Sequence, residues 1–424
     1  MTFFRGRVPS AFLLAALLFS SVVQAQYAVP LTLAEAEDLA LDREPGREAL
    51  RALAGALAER SVVAGQLPDP ALRIGIANYP IQSGGFSTEG MTQAQLALRQ
   101  SFPSGKSRDF DALRFSSLSQ EAHASADARA RDVLTHARVA WLEVYYWQHA
   151  RIIVTESRPF FADLAKITRS LYAVGKNTQQ DVFRAELELG RLDDRLIELE
   201  RRHQQAIAAL SEWLGPEANR VIASTLPDAT RVPDLRSLQT AVDTHPVVAA
   251  ANAKVAARSA AVNLAEENKK PDWSIDIGYG YRDGTLSTGD PRSDFVSVSV
   301  TTQLPFFREN RQDRSLAAAL RERSAAEYEQ EQLRRRLLSR VDAEYVRWQD
   351  LTRRLVLFET RILELSEDHA QAALLAYQSE AGDFADVMRG YIDELNTRLD
   401  HVRLKVERAQ SYAVLANLGG FGDE

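Results

Sequence analysis

The stretch RENRQDRSLAAALRERSAAEYEQEQLRRRLLSRVDAEYVRWQDLTRRLVLFETRILELSEDHAQAALLAY, residues Arg308 to Tyr377, runs for 70 residues without a glycine or a proline. At a rise of about 1.5 Å per residue this predicts a helix roughly 105 Å long, more than a compact domain accommodates. Its second half places apolar or neutral residues at Val341, Tyr345, Trp348, Leu351, Leu355, Phe358, Ile362, Leu365, His369, Ala372 and Ala376. That three-or-four step predicts a coiled-coil seam. The rest of the chain is then what surrounds, tops and ends a long helical bundle.

Working outward, the rod is preceded by a hairpin over 273–304 and followed by a tip turn at 378–382 and a helix over 383–418. In the hairpin Trp273, Ile275, Ile277, Tyr279 and Tyr281 alternate with Ser274, Asp276, Gly278, Gly280 and Arg282, and Val296, Val298 and Val300 alternate with Ser297 and Ser299. Period two with one polar face reads as strands. A helix over 235–269 opens this half. The first half shows the same order: a helix over 31–66, with Thr32 and Glu35 at capping-box spacing and an early interruption at Pro45 and Gly46, a hairpin over 71–102, a long helix over 107–171, a tip turn over 172–180 and a helix over 181–214. Pro159 lies inside the long helix, where a bend is expected rather than a break.

Local matches recur at an offset of roughly 200 residues, as an internal duplication requires. Glu143, Trp147 and Gln148 return as Glu344, Trp348 and Gln349, and Tyr172, Asp181 and Val182 return as Tyr377, Asp386 and Val387. The chain therefore divides into a signal segment (1–25), repeat one (26–225) and repeat two (226–424). Within each repeat two shorter helices, laid end to end, match the length of one long helix.

The N-terminus carries Arg5 and Arg7, an apolar run from Ala11 to Val23 and a small-x-small site at Val23, Gln24 and Ala25. This is the pattern of a secretory signal peptide. The chain has no cysteine, so neither a lipid-bearing N-terminal cysteine nor a disulfide is expected. Past the signal no window of about 18 apolar residues occurs, which excludes a transmembrane helix but not a membrane β-barrel. Formal net charge is −7, with both signs mixed along the helices, so no basic patch for nucleic acid is present.

Four strands of nine to twelve residues match the length needed to cross a bilayer when tilted. Four cannot close, and an open sheet in lipid would leave unpaired N–H and C=O groups along two edges, each costing several kcal/mol. Three copies would supply twelve strands around a lumen faced by Gln93, Gln95, Arg99 and Asp276. Trp273, Tyr279 and Tyr281 share the other face, as interfacial aromatic anchors would. The fold class expected is thus mainly α with a β-barrel portion: a long antiparallel coiled-coil tunnel plus four membrane strands per chain, in a trimeric twelve-stranded barrel.

At Leu31, Thr32, Leu33 and Ala36, at Leu67, Pro68, Asp69 and Pro70, at Ser101, Phe102, Pro103, Gly105 and Lys106, and at Tyr172 to Gly175 through Gln180, Asp181 and Val182, the chain resembles the TolC family of outer-membrane efflux proteins. The resemblance spans Leu31 to Gly420 and rests on the order of these motifs and its repetition. It implies a homotrimer in outer-membrane lipid with a large periplasmic portion. Such a trimer is the exit duct of a tripartite efflux pump, working with a periplasmic adaptor and an inner-membrane transporter of the RND type. Cargo such as metal cations or small toxic compounds would pass through passively. It further implies adaptor docking at Val174, Gly175 and Lys176, a gate latch between Asp181 and Tyr377, and a pore constriction at Asp386 and Arg389. The second-repeat turn, Glu380, Ala381 and Gly382, departs from the docking pattern, and Arg389 stands where the family has a second aspartate. Three copies of Asp386 near an axis would form a negative ring favouring cations.

No His-Glu-x-x-His, phosphate loop, Gly-x-Ser-x-Gly or cysteine nucleophile occurs, so no enzyme, metal site or cofactor is expected. Glu200 and His203 have one half of a di-iron spacing without a second copy. The competing readings are a periplasmic coiled-coil adaptor or scaffold, which the duplicated layout disfavours, and a helical metalloenzyme, which lacks ligand sets.

Overall fold

The computed structural model describes residues 29–42 and 44–421; the expected signal segment lies outside them. Its elements run α1 (Leu33–Asp42), α2 (Pro45–Gly65), β1 (Ala71–Ala77), β2 (Gln93–Phe102), α3 (Ser107–Ala173), α4 (Gln179–Leu214), α5 (Leu235–Ala241), α6 (Pro246–Glu267), β3 (Trp273–Tyr281), β4 (Phe295–Thr302), α7 (Gln312–Leu357), α8 (Leu363–Gln378) and α9 (Phe384–Gly419). Long helices thus carry a small antiparallel sheet.

Two of the expected helices are split, each at a proline: the first where its interruption was expected, the second, over 235–269, where a single run was expected. Pro45 opens α2, with the Glu44 side chain accepting from the Gly46 N–H, and Pro246 opens α6, with the His245 ring accepting from the Val247 N–H. The reason is the same in both: proline fits the first turn of a new helix and forces its predecessor to extended geometry. Leu31, expected to begin the first helix, instead pairs in parallel with Ile222. Pro159, by contrast, lies within α3, which continues past it to Ala173.

The rod that begins at Gln312 is also not uniform. A π turn, Phe358–Ile362, separates α7 from α8. A π turn holds about one residue more than an α turn, so the face presented beyond it rotates by roughly 100°. The consequence is a one-residue shift of the seam. Val341, Leu351 and Leu355 are buried as the spacing predicts, but His369 and Ala372 are exposed, and Ala370, Ala373 and Tyr377 face the core in their place.

The helices pack in series. α2 and α4 lie along successive parts of α3: Ser119 donates to the Ala54 carbonyl above, and Arg151 and Arg158 pair with Glu200 and Asp193 below. In the same way α6 and α9 follow one another along the α7–α8 rod, through Lys254–Glu329 and Arg258–Glu322 above and Ser411 with Glu344 farther down. The segment between α4 and α5 crosses the bundle as a strap. Trp141 Nε1 donates to the Leu31 carbonyl at 3.1 Å, and Trp348 Nε1 donates to the Ala229 carbonyl at 3.1 Å. Each indole N–H so finds an acceptor that its burial would otherwise deny it. Trp141 sits with Leu31, Leu210, Leu214 and Ile222 in one core; a second core around Phe161, Leu192, Val387 and Leu395 runs toward the hairpin tips.

The sheet has the order β1-β2-β3-β4, every neighbour antiparallel. Its register sets one row of Leu72, Leu98, Ile277 and Val298 across all four strands, and one residue along sets Ala71, Arg99, Asp276 and Ser299. Successive side chains on a strand point to opposite faces, so these two rows define an apolar and a polar side. Among the described residues no helix covers the apolar side: Ile74 is 75% exposed, Val296 75% and Val298 69%.

Candidate functional site

Two regions hold the residues that the sequence singles out, and they lie at opposite ends of the chain's helices. The first is the polar side of the sheet. Gln93, Gln95 and Arg99 share one side of β2, and Asp276 of β3 is the register partner of Arg99. Arg99 Nε donates to Asp276 Oδ1 at 2.7 Å, while the second oxygen, Oδ2, is buried without a partner. Toward the strand ends a recess of about 330 Å³ is lined by Arg73, Gln93, Gln95, Phe295 and Ser297. Two glycines floor it: a Cβ on Gly280 would come within 1.9 Å of Gln93 Oε1, and one on Gly278 within 2.8 Å of Ser297 Oγ.

The second region is the pair of tips where α3 turns into α4 and α8 into α9. They enclose a cleft of about 840 Å³ whose lining includes Lys176, Asn177, Asp181, Arg184, Tyr377 and Phe384. Asp181 and Tyr377 therefore meet the same space, but they are committed to other partners. Asp181 is the third residue of α4, and its carboxylate accepts from the Thr178 hydroxyl at 2.7 Å and the Thr178 N–H at 3.2 Å, completing a capping box. The Tyr377 hydroxyl accepts from Asn177 Nδ2 at 2.7 Å. Asn177, which the sequence marks only as a turn residue, thus joins the two tips. Only its position two residues beyond Gly175 in a turn hints at this.

Val174, Gly175 and Lys176 form the exposed end of the first tip, with Gly175 at φ +75°. In the second tip Glu380 takes the same left-handed conformation, φ +60°, which glycine adopts without strain and glutamate does not. The two tips also meet through Lys176 Nζ and Glu380 Oε1 at 3.7 Å. Both groups are open to water, where such a pair contributes little.

Asp386 and Arg389 are one turn apart on α9, and Arg389 Nη2 donates to Asp386 Oδ1 at 2.6 Å, with both side chains exposed. The Asp386 carboxylate, expected to contribute to a negative ring, therefore carries a counter-charge within its own chain. This pairing was legible from the three-residue spacing.

Among the described residues no helix is long and apolar enough to cross a membrane, and no cluster of three His, Cys, Asp or Glu is placed to hold a metal. Glu200, of the Glu200 and His203 spacing, pairs with Arg151 instead. Away from the two regions one buried histidine stands out. His245 Nε2 lies 3.1 Å from Asn417 Oδ1, its Nδ1 accepts from Val247, and burial pushes its pKa below the usual imidazole value, the Asn417 contact opposing.

A sheet bare on its apolar side, on top of a long helical body, has a match among known families. Residues 237–420 fit the family described as outer membrane efflux protein. Over that stretch the chain is similar to this family. Its members are channels rather than enzymes. CyaE of Bordetella pertussis is 26% identical over 416 residues, which cover 92% of this chain and 85% of that one. The outer membrane protein VceC of Vibrio cholerae superposes with a TM-score of 0.76 at 17% identity, covering 91% of this chain and 96% of its own. The outer membrane channel CmeC of Campylobacter jejuni does so with a TM-score of 0.77 at 13% identity, covering 92% and 85%. The two solved channels share this fold.

Proposed function

We propose that this chain is an outer-membrane efflux protein and works as a homotrimer whose three sheets close into a twelve-stranded barrel above a helical tunnel. It acts as the passive exit duct of a tripartite pump, taking cargo from an inner-membrane transporter of the RND type through a periplasmic adaptor. The observation that carries this is the uncovered apolar side of a sheet with two free edges, β1 and β4. In water such a face and such edges invite aggregation, and in lipid the edges must pair. Closing with two further copies answers both demands. In this reading the element order, given twice, reflects a duplication into repeats over 26–225 and 226–424. Arg99 and Asp276 face the lumen with Gln93 and Gln95. The tips at Val174, Gly175 and Lys176 meet the adaptor, and Asp386 with Arg389 narrows the inner end. Tyr377 latches that end through Asn177, with Asp181 shaping the turn that presents the asparagine.

Native mass measurement of detergent-purified protein tests the assembly. Three copies per particle, recovered from the outer-membrane fraction, are expected. A stable folded monomer, or recovery with the inner membrane as an adaptor or scaffold would show, overturns the reading.

A further inference from the structure

We infer that the polar side of the sheet is an electropositive wall that favours anionic cargo at the exit, and that Arg73 sets this preference. The inference rests on the duct reading, in which that side lines the lumen. The four strands contain three charged residues in all, Arg73, Arg99 and Asp276, and the register puts all three on the polar side. Arg99 is spent on Asp276. Arg73 has neither a hydrogen bond nor an ion pair among the described residues, and it is exposed. The residue after β3 adds another cation on the same side: the Arg282 guanidinium lies 4.2 Å from the centre of the Phe295 ring.

The acids nearest this wall do not offset it within the strands. Asp283, Asp290 and Asp294 belong to the loop beyond β3, and the Asp294 carboxylate is bonded to the hydroxyl of Tyr279, a residue of the apolar side. In that loop Arg292 is held by the carbonyls of Ser87, Glu89 and Asp283 at 3.1 to 3.2 Å. Beside Arg73 the glycine-floored recess supplies the amide groups of Gln93 and Gln95 and the Ser297 hydroxyl, donors suited to a carboxylate or phosphate oxygen. Repeated around a lumen, unpaired guanidinium groups act as a ring of fixed positive charge, which concentrates anions and repels cations. At the other end Asp386 is neutralised by Arg389, so it does not reverse the sign. Small organic anions are therefore the class of solute this exit suits, in place of the metal cations that a bare Asp386 ring would favour.

The test is the reversal potential of the full trimer in a planar lipid bilayer under a KCl gradient. Wild type is expected to pass chloride more readily than potassium. Arg73→Glu should move that ratio about two-fold or more toward potassium with conductance retained, and Arg73→Gln should fall between. Arg73→Gln adds no charge, so it gives the answer even where the glutamate variant assembles poorly. A wild type that prefers potassium, or variants with an unchanged ratio, overturns the inference while leaving a working duct. A purified trimer that conducts nothing, wild type included, overturns the duct reading and the inference falls with it.

Discussion

Replacing Val298 by arginine tests whether the apolar side of the sheet meets lipid or water. Val298 is the fourth of the eight residues of β4, and it ends the row that starts at Leu72 and passes through Leu98 and Ile277. A strand of this length extends about 26 Å at roughly 3.3 Å per residue, close to the height of a barrel's apolar band of about 25 Å. Its middle therefore falls near the centre of the bilayer. An arginine there costs about 2–4 kcal/mol, and three copies per trimer bring this to about 6–12 kcal/mol. Were the face wetted instead, a side chain 69% exposed could become arginine at a cost within about 0.5 kcal/mol. Ser299→Arg is the matched control, since it adds the same charge one residue along on the opposite side, beside Asp276. The assay is the amount of folded trimer in the outer-membrane fraction, together with the temperature at which trimers dissociate on a semi-native gel. Val298→Arg should lose most of the trimer and Ser299→Arg little. Equal yields and equal dissociation temperatures would refute the assignment of that face to lipid.

Two further outcomes concern the tip and the bundle. Tyr377→Phe and Asn177→Ala each remove the 2.7 Å bond between the tips, a loss of about 0.5–1.5 kcal/mol, and both should raise the open probability of single channels to a similar degree. Asp181→Asn should act only through its helix cap, so a larger effect at Asp181 than at Asn177 would restore a direct aspartate latch. For pH, the buried His245 has a folded pKa below its ordinary value, so the unfolded chain binds its proton first as pH falls. Its contribution to stability is complete above about pH 6.5 and declines as pH drops below that toward the folded pKa. His245→Asn, which keeps a capping oxygen, should flatten the dependence of Tm on pH below about 6.5; identical slopes would remove the histidine from the account.

Much of this protein could be read from local pattern. The long helices follow from runs without glycine or proline, and the strands follow from alternation such as Trp273 to Tyr281, because both periods are written in neighbouring residues. The family resemblance follows from motif order along the chain and agrees with the match over residues 237–420. The interruption at Pro45 was read from the sequence, the split at Pro246 was legible in the same way, and both show how firmly one imino acid ends an element.

What the tertiary structure alone decided is who meets whom. The π turn at Phe358–Ile362 changes the phase of the rod, and nothing in a three-or-four step announces one extra residue in a turn. The partner of Tyr377 lies 200 positions away at Asn177, and the isolation of Arg73 depends on Arg99 having taken Asp276 across two strands that are far apart in the chain. Periodicity is a property of short separations, set by backbone geometry. Pairing across long separations is set by competition among groups that only the folded chain brings within bonding distance.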